Sequence, residues 1–333
     1  MEGAISSRRR PAWREGAEAL TGPKSHAADR LCSAITETGA PACVGLDPVV
    51  ERLPDSVRSG AASDADAIEA FSNGVLDAAQ GIAPAVKLQS ACYERHGSAG
   101  FAALERVMQR ARSMGFVTIL DAKRGDIGVS AEHYAHLAFR VMDADFVTVS
   151  AYMGADTVQP FLAKQYQDRG VFALVRTSNP GSDGVQSRML EDGRSVAQLV
   201  ADHVATLGGS NVGATGYSNV GAVVAATKPE DAAALRQRMP EQIFLVPGFG
   251  AQGGTVETVR ALFDERGMGA LITASRSVIY RFEESDADHV RRYARHCSTL
   301  HRSVISIGGA PMRPKGKGIV EYSASTWSRC GGQ

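Results

Sequence analysis

A chain of 333 residues with 44% hydrophobic side chains has material for one large domain or two ordinary ones. Its 36 Lys and Arg balance 36 Asp and Glu, so net charge gives no reason to expect a nucleic acid or a membrane surface as partner. Five cysteines (Cys32, Cys43, Cys92, Cys297, Cys330), odd in number and without a C-x-x-C, argue against a disulfide framework or zinc site and read as reduced thiols of a cytoplasmic protein.

Residues 1–24 mix Gly, Ser, Arg and Pro without periodicity and read as a flexible extension, with Arg8-Arg9-Arg10 a solvated basic tail. They lack the apolar core of a secretory signal, and no run in the chain approaches the length of a membrane span. A short helix over Ala27–Ile35 leads into eight strand-like runs: Pro41–Asp47, Ala83–Gln89, Phe116–Lys123, Asp145–Tyr152, Gly170–Thr177, Val220–Thr227, Ile243–Phe249 and Gly269–Ser275. Helical patterns lie between them over Ala65–Gln80, Phe101–Met114, Ala131–Met142, Ser195–Leu207, Pro229–Met239 and Thr255–Phe263. Eight βα units over about 240 residues fit an α/β fold of the closed (β/α)8 TIM barrel type better than an open doubly wound sheet. The sixth strand has a competitor, since Asn211–Tyr217 also has strand character. Asp286–Leu300 reads as a closing helix, and Ile307–Gln333, rich in Gly, Ser, Lys and Arg, as disordered. The expected organisation is a flexible extension over residues 1–24, one barrel domain over 25–303 and a disordered tail over 304–333.

Active sites of such barrels lie at the C-terminal ends of the strands, and there the third strand turns abruptly from apolar to charged. Phe116-Val117-Thr118-Ile119-Leu120 suits a buried strand; its period of two sends Asp121 and Lys123 to one face, and Gly125 lets the chain turn so that Asp126 can converge on the same volume. Charge at a buried strand end is costly without partners, so the cluster is either a structural ion pair or a chemical device. Lys87 interrupts the short apolar run Ala85-Val86-Lys87-Leu88-Gln89. Pointing inward it neighbours Asp121 and Lys123, and the alternating signs keep the set ionised and its titration coupled; pointing outward it is a snorkelling surface lysine. The first strand ends in Gly45-Leu46-Asp47-Pro48.

Loops after strands seven and eight carry Pro247-Gly248-Phe249-Gly250-Ala251-Gln252-Gly253-Gly254 and Ser275-Arg276-Ser277. Glycines that let backbone N–H groups approach an anion, with an arginine fork nearby, predict a phosphate ester as substrate. Gly248, Gly250 and Gly253 also satisfy G-x-G-x-x-G, but in the seventh unit and with no acidic residue ending the following strand, so a nicotinamide cofactor is not expected. Thr177–Gly184 is either a solvated connection or, as its place at the catalytic end favours, a lid. His133 and His136 read as helix-surface residues rather than metal ligands.

Taken together these residues resemble the orotidine 5'-monophosphate decarboxylase family, in its longer bacterial and archaeal-type branch. The resemblance is carried, in the family's order over residues 40–280, by Gly45-Leu46-Asp47-Pro48, Lys87, Asp121-Ala122-Lys123-Arg124-Gly125-Asp126-Ile127, Ser178-Asn179-Pro180-Gly181, the glutamine-bearing glycine loop and Ser275-Arg276-Ser277. It implies conversion of orotidine 5'-monophosphate to uridine 5'-monophosphate and carbon dioxide by a homodimer, without metal or organic cofactor. It further implies that Lys123 protonates C6, that Asp121 sits beside the substrate carboxylate, and that Lys87 binds ribose hydroxyls and holds Asp121. Asp126, with Ile127 and Ser130, would reach across the dimer interface into the partner's site. Asp47 would bind ribose, Ser178 the pyrimidine, and Gln252 and Arg276 the phosphate. Gly253 and Ser275 complete the substrate-binding set, Ser275 standing where many members have glycine. Two alternatives remain. Magnesium-dependent sugar-phosphate decarboxylases and aldolases of the same suprafamily share D-x-K-x-x-D but carry an acidic metal ligand where this chain has Lys87, and a barrel could bind nucleotide phosphates without catalysis.

Overall fold

Eight short strands, β1 (Ala42–Leu46), β2 (Ala85–Gln89), β3 (Val117–Arg124), β4 (Phe146–Val149), β5 (Gly170–Arg176), β6 (Ser218–Val224), β7 (Gln242–Val246) and β8 (Ala270–Ala274), pair in parallel, each with the next. β8 returns to β1, with Cys43 opposite Thr273, and closes the barrel. The computed structural model describes residues 25–226, 228–248, 256–280, 296–299 and 302–304. Each strand overlaps its predicted run. β6 begins at Ser218, and Asn211–Tyr217 is a turn tied down by one bridge between Val212 and Ser218. The expectations for residues 1–24, for Asp286–Asp288 and most of the closing helix beyond them, and for Ile307–Gln333 lie outside the described residues. Val304, the first residue of the expected tail, is buried in the outer core.

The strands are buried on both faces because they have two cores to serve. Outward positions such as Val44, Leu46, Val86, Leu88, Leu120 and Val147 pack under the helices with Ile68, Phe71, Leu104 and Val107. Inward positions such as Cys43, Ala85, Val117, Ile119, Phe146 and Phe172 fill the barrel, and helix α1 (Ala27–Thr38) plugs its N-terminal end with Ala28, Leu31 and Ile35. Two covered faces explain why the strands read as near-continuous apolar runs without polar alternation.

Helices α2 (Asp64–Ala79), α3 (Gly97–Ser113), α4 (Gly128–His136), α5 (Val196–Gly208), α6 (Pro229–Arg238) and α7 (Val256–Arg260) occupy the predicted helical regions. The Ser195 hydroxyl accepts from the Gln198 backbone N–H while the Gln198 side chain accepts from the Ser195 N–H, a capping box that fixes where α5 starts. Expected as one helix to Met142, the fourth instead widens into a π-helical turn over Leu137–Val141. Among the described residues no helix is long and apolar enough to cross a membrane. Cys32, Cys43, Cys92 and Cys297 are free thiols, and burial pushes Cys43 up to about 12, which leaves it inert at neutral pH.

Candidate active site

The alternation that buries Ala85, Ile119, Phe146 and Leu271 inside the barrel also decides what lies beyond them. Two residues further along each strand, Lys87, Asp121, Thr148 and Thr273 face the barrel axis at its C-terminal mouth, where they line a cavity of about 580 Å³ with Asp47, Lys123, Ser178, Ser275 and Arg276. Of the twelve residues expected at the site, Asp47, Lys87, Asp121, Lys123, Ser178, Ser275 and Arg276 thus share one cavity. Gln252 and Gly253 lie outside the described residues, as does the rest of the G-x-G-x-x-G spacing beyond Gly248.

Asp121 is the hub. Lys87 donates to its Oδ2 at 2.7 Å and Lys123 to its Oδ1 at 2.6 Å. Gln89 Nε2 donates to Oδ2 at 3.2 Å and the Thr148 hydroxyl to Oδ1 at 2.9 Å. Asp47 Oδ1 lies 3.5 Å from the Lys87 ammonium and, though buried, has no hydrogen-bond partner of its own. Burial alone raises the Asp121 pKa, but Lys87 and Lys123 outweigh it and hold the carboxyl well below the usual aspartate range. Burial likewise pulls Lys87 down, and the charges of Asp47 and Asp121 outweigh that and push it above the ordinary lysine value. The result is a line of alternating charge, Asp47–Lys87–Asp121–Lys123, ionised at neutral pH through its buried centre. Lys87 and Asp121 are each 8% exposed in their side chains, whereas Lys123 is 47% exposed. Lys123 is therefore the member whose ammonium opens onto the cavity.

β3 does not reach this arrangement as a straight strand. Lys123 has φ +47°, and the pairing with β4 slips register between Leu120 and Arg124. A non-glycine residue holds that left-handed conformation only where its surroundings impose it. Here the Lys123 backbone N–H donates to the Thr148 hydroxyl at 2.9 Å and Ser150 N–H donates to the Arg124 carbonyl at 2.7 Å. The distortion also corrects one expectation. Asp126 does not converge on the cavity of its own chain: past Arg124 and Gly125 the backbone leaves the barrel mouth, and Asp126 Oδ1 accepts from the Ile127 N–H at 2.9 Å. Ile127 is 62% exposed, Ser130 is exposed, and Val129, Tyr152 and Met153 join Ile127 among the exposed apolar side chains.

At the seam between the last and first strands, Ser275 lies so close to Gly45 that a Cβ on that glycine would fall 1.9 Å from the Ser275 hydroxyl. A side chain at position 275 thus demands none at position 45. Thr177, Ser178 and Asn179 line the cavity. The loop they begin is folded into two short helical turns, Pro180–Ser182 and Asp183–Gln186. Arg176, 1% exposed at the end of β5, holds those turns, donating to Asp183 and Asp231 at 2.5 Å and to Ser182 at 3.0 Å. Lys228 donates to the other Asp183 oxygen at 2.7 Å. Hydrogen bonds from Lys228 and Arg176 pull Asp183 down to about 2.

Sequence reasoning passed over Gln89, Thr148 and Arg176. Gln89 and Arg176 were within its reach: Gln89 stands two residues beyond Lys87, and Arg176 is, like Lys87 within β2, a charge in an otherwise apolar buried strand. Thr148, inside Phe146–Val149, looks like any β-branched strand former. His133 and His136 are exposed on α4, and among the described residues no group of three or more His, Cys, Asp and Glu is placed to hold a metal.

Comparison with known proteins decides the family. The model of the "Orotidine 5'-phosphate decarboxylase / HUMPS family" matches residues 42–286, from the first residue of β1 past the last of β8. The chain belongs to that family. Among orotidine 5'-phosphate decarboxylases, the one from Rhodopirellula baltica is 41% identical over 274 residues, covering 78% of this chain and 90% of the relative. The Leishmania donovani OMP decarboxylase structure superposes with a TM-score of 0.69 at 33% identity, over 86% of this chain and 99% of that one. A Streptomyces avermitilis structure titled as a putative orotidine 5'-phosphate decarboxylase gives 0.73 at 31% identity, over 86% and 97%. Every cavity residue named above falls inside the span matched by the family model.

Proposed function

We propose that this chain converts orotidine 5'-monophosphate to uridine 5'-monophosphate and carbon dioxide, using its own side chains alone, as an enzyme of pyrimidine nucleotide synthesis. The observation that carries the reading is the alternating line Asp47–Lys87–Asp121–Lys123, ending in an ammonium open to the cavity. Breaking the bond between C6 and the carboxylate releases carbon dioxide and leaves its electron pair on C6, where the ring offers little resonance relief. A cation fixed at that carbon stabilises the charge as it develops. Lys123 then gives one Nζ proton to C6, which yields the product, and the neutral amine takes a proton back from water.

Asp121 faces the departing carboxylate and holds both lysines. Asp47, with its unpartnered buried oxygen, and Lys87 bind ribose hydroxyls. Ser178 addresses the pyrimidine, and Gln252, Gly253, Ser275 and Arg276 the phosphate. Binding energy from the distant phosphate and from a closed 177–184 loop is expressed at C6. Asp126, Ile127 and Ser130 complete the cavity of a second copy, and the exposed Ile127, Val129, Tyr152 and Met153 support a homodimer interface around them. The Lys87 and Lys123 ammonium groups together already balance the charges of Asp47 and Asp121, so no divalent cation is needed between them, and a chelator should leave turnover unchanged. The enzyme is read as cytoplasmic, with residues 25–303 as its catalytic domain. Orotidine 5'-monophosphate absorbance followed with purified protein tests the activity. Turnover no faster than that of Lys123→Ala would end the proposal.

A further inference from the structure

We propose that Thr148 is a positioning residue of the reaction: its hydroxyl sets where the Lys123 ammonium stands relative to the reacting carbon. The inference rests on the reading of Lys123 as proton donor. Thr148 belongs to β4, is 1% exposed and makes two bonds with one oxygen. The hydroxyl proton goes to Asp121 Oδ1 at 2.9 Å, and a lone pair receives the Lys123 backbone N–H at 2.9 Å. With proton and lone pair both committed, the hydroxyl has one useful orientation.

That bond falls where the backbone most needs it. The register slip between Leu120 and Arg124 takes Lys123 out of the regular ladder with β4, so its N–H must find an acceptor that is not a strand carbonyl. Lys123 is also one of the two non-glycine residues with positive φ, the other being Asp143, among the described residues. Thr148 thus ties down the main chain of Lys123, while the Asp121 oxygen it contacts is the one that receives the Lys123 ammonium at 2.6 Å. Main chain and side-chain tip of the proton donor are referred to the same hydroxyl. Valine at 148 would keep the shape and the β-branched strand preference but lose both bonds. The ribose and phosphate contacts assigned to Asp47 and Arg276 would be untouched, so the loss should fall on kcat and not on ligand affinity.

The test compares wild type, Thr148→Val, Thr148→Ser and Lys123→Ala for kcat and KM with orotidine 5'-monophosphate, and for Kd with uridine 5'-monophosphate. Thermal unfolding checks that each variant folds. Losing hydrogen bonds that hold charged groups in place should lower kcat of Thr148→Val by about 10- to 100-fold. KM and Kd should stay within about twofold, and Thr148→Ser should recover most of the lost kcat. An unchanged kcat, or a loss confined to KM, overturns the proposal, as does a serine variant as impaired as the valine. If Thr148→Val does not fold, Thr148→Ala judged against Thr148→Ser carries the same decision. Full activity in Lys123→Ala would refute the underlying reading and the proposal with it, whereas an inactive Lys123→Ala beside an unimpaired Thr148→Val refutes the proposal alone.

Discussion

Replacing Lys87 by methionine keeps the bulk of the side chain and deletes its charge. In the native barrel its ammonium stands 2.7 Å from one Asp121 oxygen and 3.5 Å from Asp47, with Lys87 and Asp121 both 8% exposed. Breaking a buried pair by removing one partner strands the other charge, at a cost of about 3–5 kcal/mol. The raised Lys87 pKa contributes stability that is fully present below the unfolded lysine value, about 10.4, and lost as pH rises through the higher folded value. The lowered Asp121 pKa contributes stability present above the unfolded aspartate value, about 3.9, and lost as pH falls through the lower folded value. Both contributions are in force at neutral pH. In Lys87→Met, Lys123 is the one cation left on Asp121 to oppose the effect of burial, with only the neutral donors Gln89 and Thr148 beside it, so the Asp121 pKa rises and mild acid can neutralise the stranded carboxylate. Urea unfolding should therefore show a deficit of about 3–5 kcal/mol at pH 7 that narrows toward pH 5, and adding Asp121→Asn should restore part of it. A deficit identical at both pH values, or a double variant no more stable than the single one, would refute the reasoning.

Gly45→Ala should lower stability by about 1–3 kcal/mol because its methyl meets the Ser275 hydroxyl, and Ser275→Gly should rescue it in the same unfolding assay. Asp183→Ala removes the shared acceptor of Arg176 and Lys228, so the loop carrying Ser178 should loosen; nucleotide affinity measured by calorimetry should fall while the global unfolding midpoint stays nearly unchanged. Mixing inactive Lys123→Ala and Asp126→Ala subunits should regenerate up to about a quarter of wild-type activity if a mixed dimer holds one intact site, given random exchange. No recovery despite demonstrated exchange would count against a shared site.

The barrel was legible because doubly covered parallel strands must be apolar almost throughout, so any charge within them stands out. Lys87 and Asp121 were found that way, and of the two orientations open to Lys87 the inward one, beside Asp121 on the next strand, is the one observed. The same rule put Lys123 on the right side for an incomplete reason, since a register slip and a positive φ deliver it there. Local spacing could not show that the chain beyond Arg124 leaves the barrel mouth and takes Asp126 with it. Thr148 stayed hidden because a threonine in a strand satisfies β preference whether or not its hydroxyl is used. Asn211–Tyr217 has strand character, yet every neighbour in the closed barrel is already taken.

The seam where Ser275 meets Gly45 joins stretches of chain more than two hundred residues apart in sequence. A nucleotide spanning Asp47 and Arg276 would act as a rivet across that joint, so saturating ligand should oppose opening of the whole barrel and not merely quiet one loop. On the ribosome, moreover, no nascent fragment could capture the nucleotide until the eighth strand had emerged; binding competence would arrive all at once, late in synthesis.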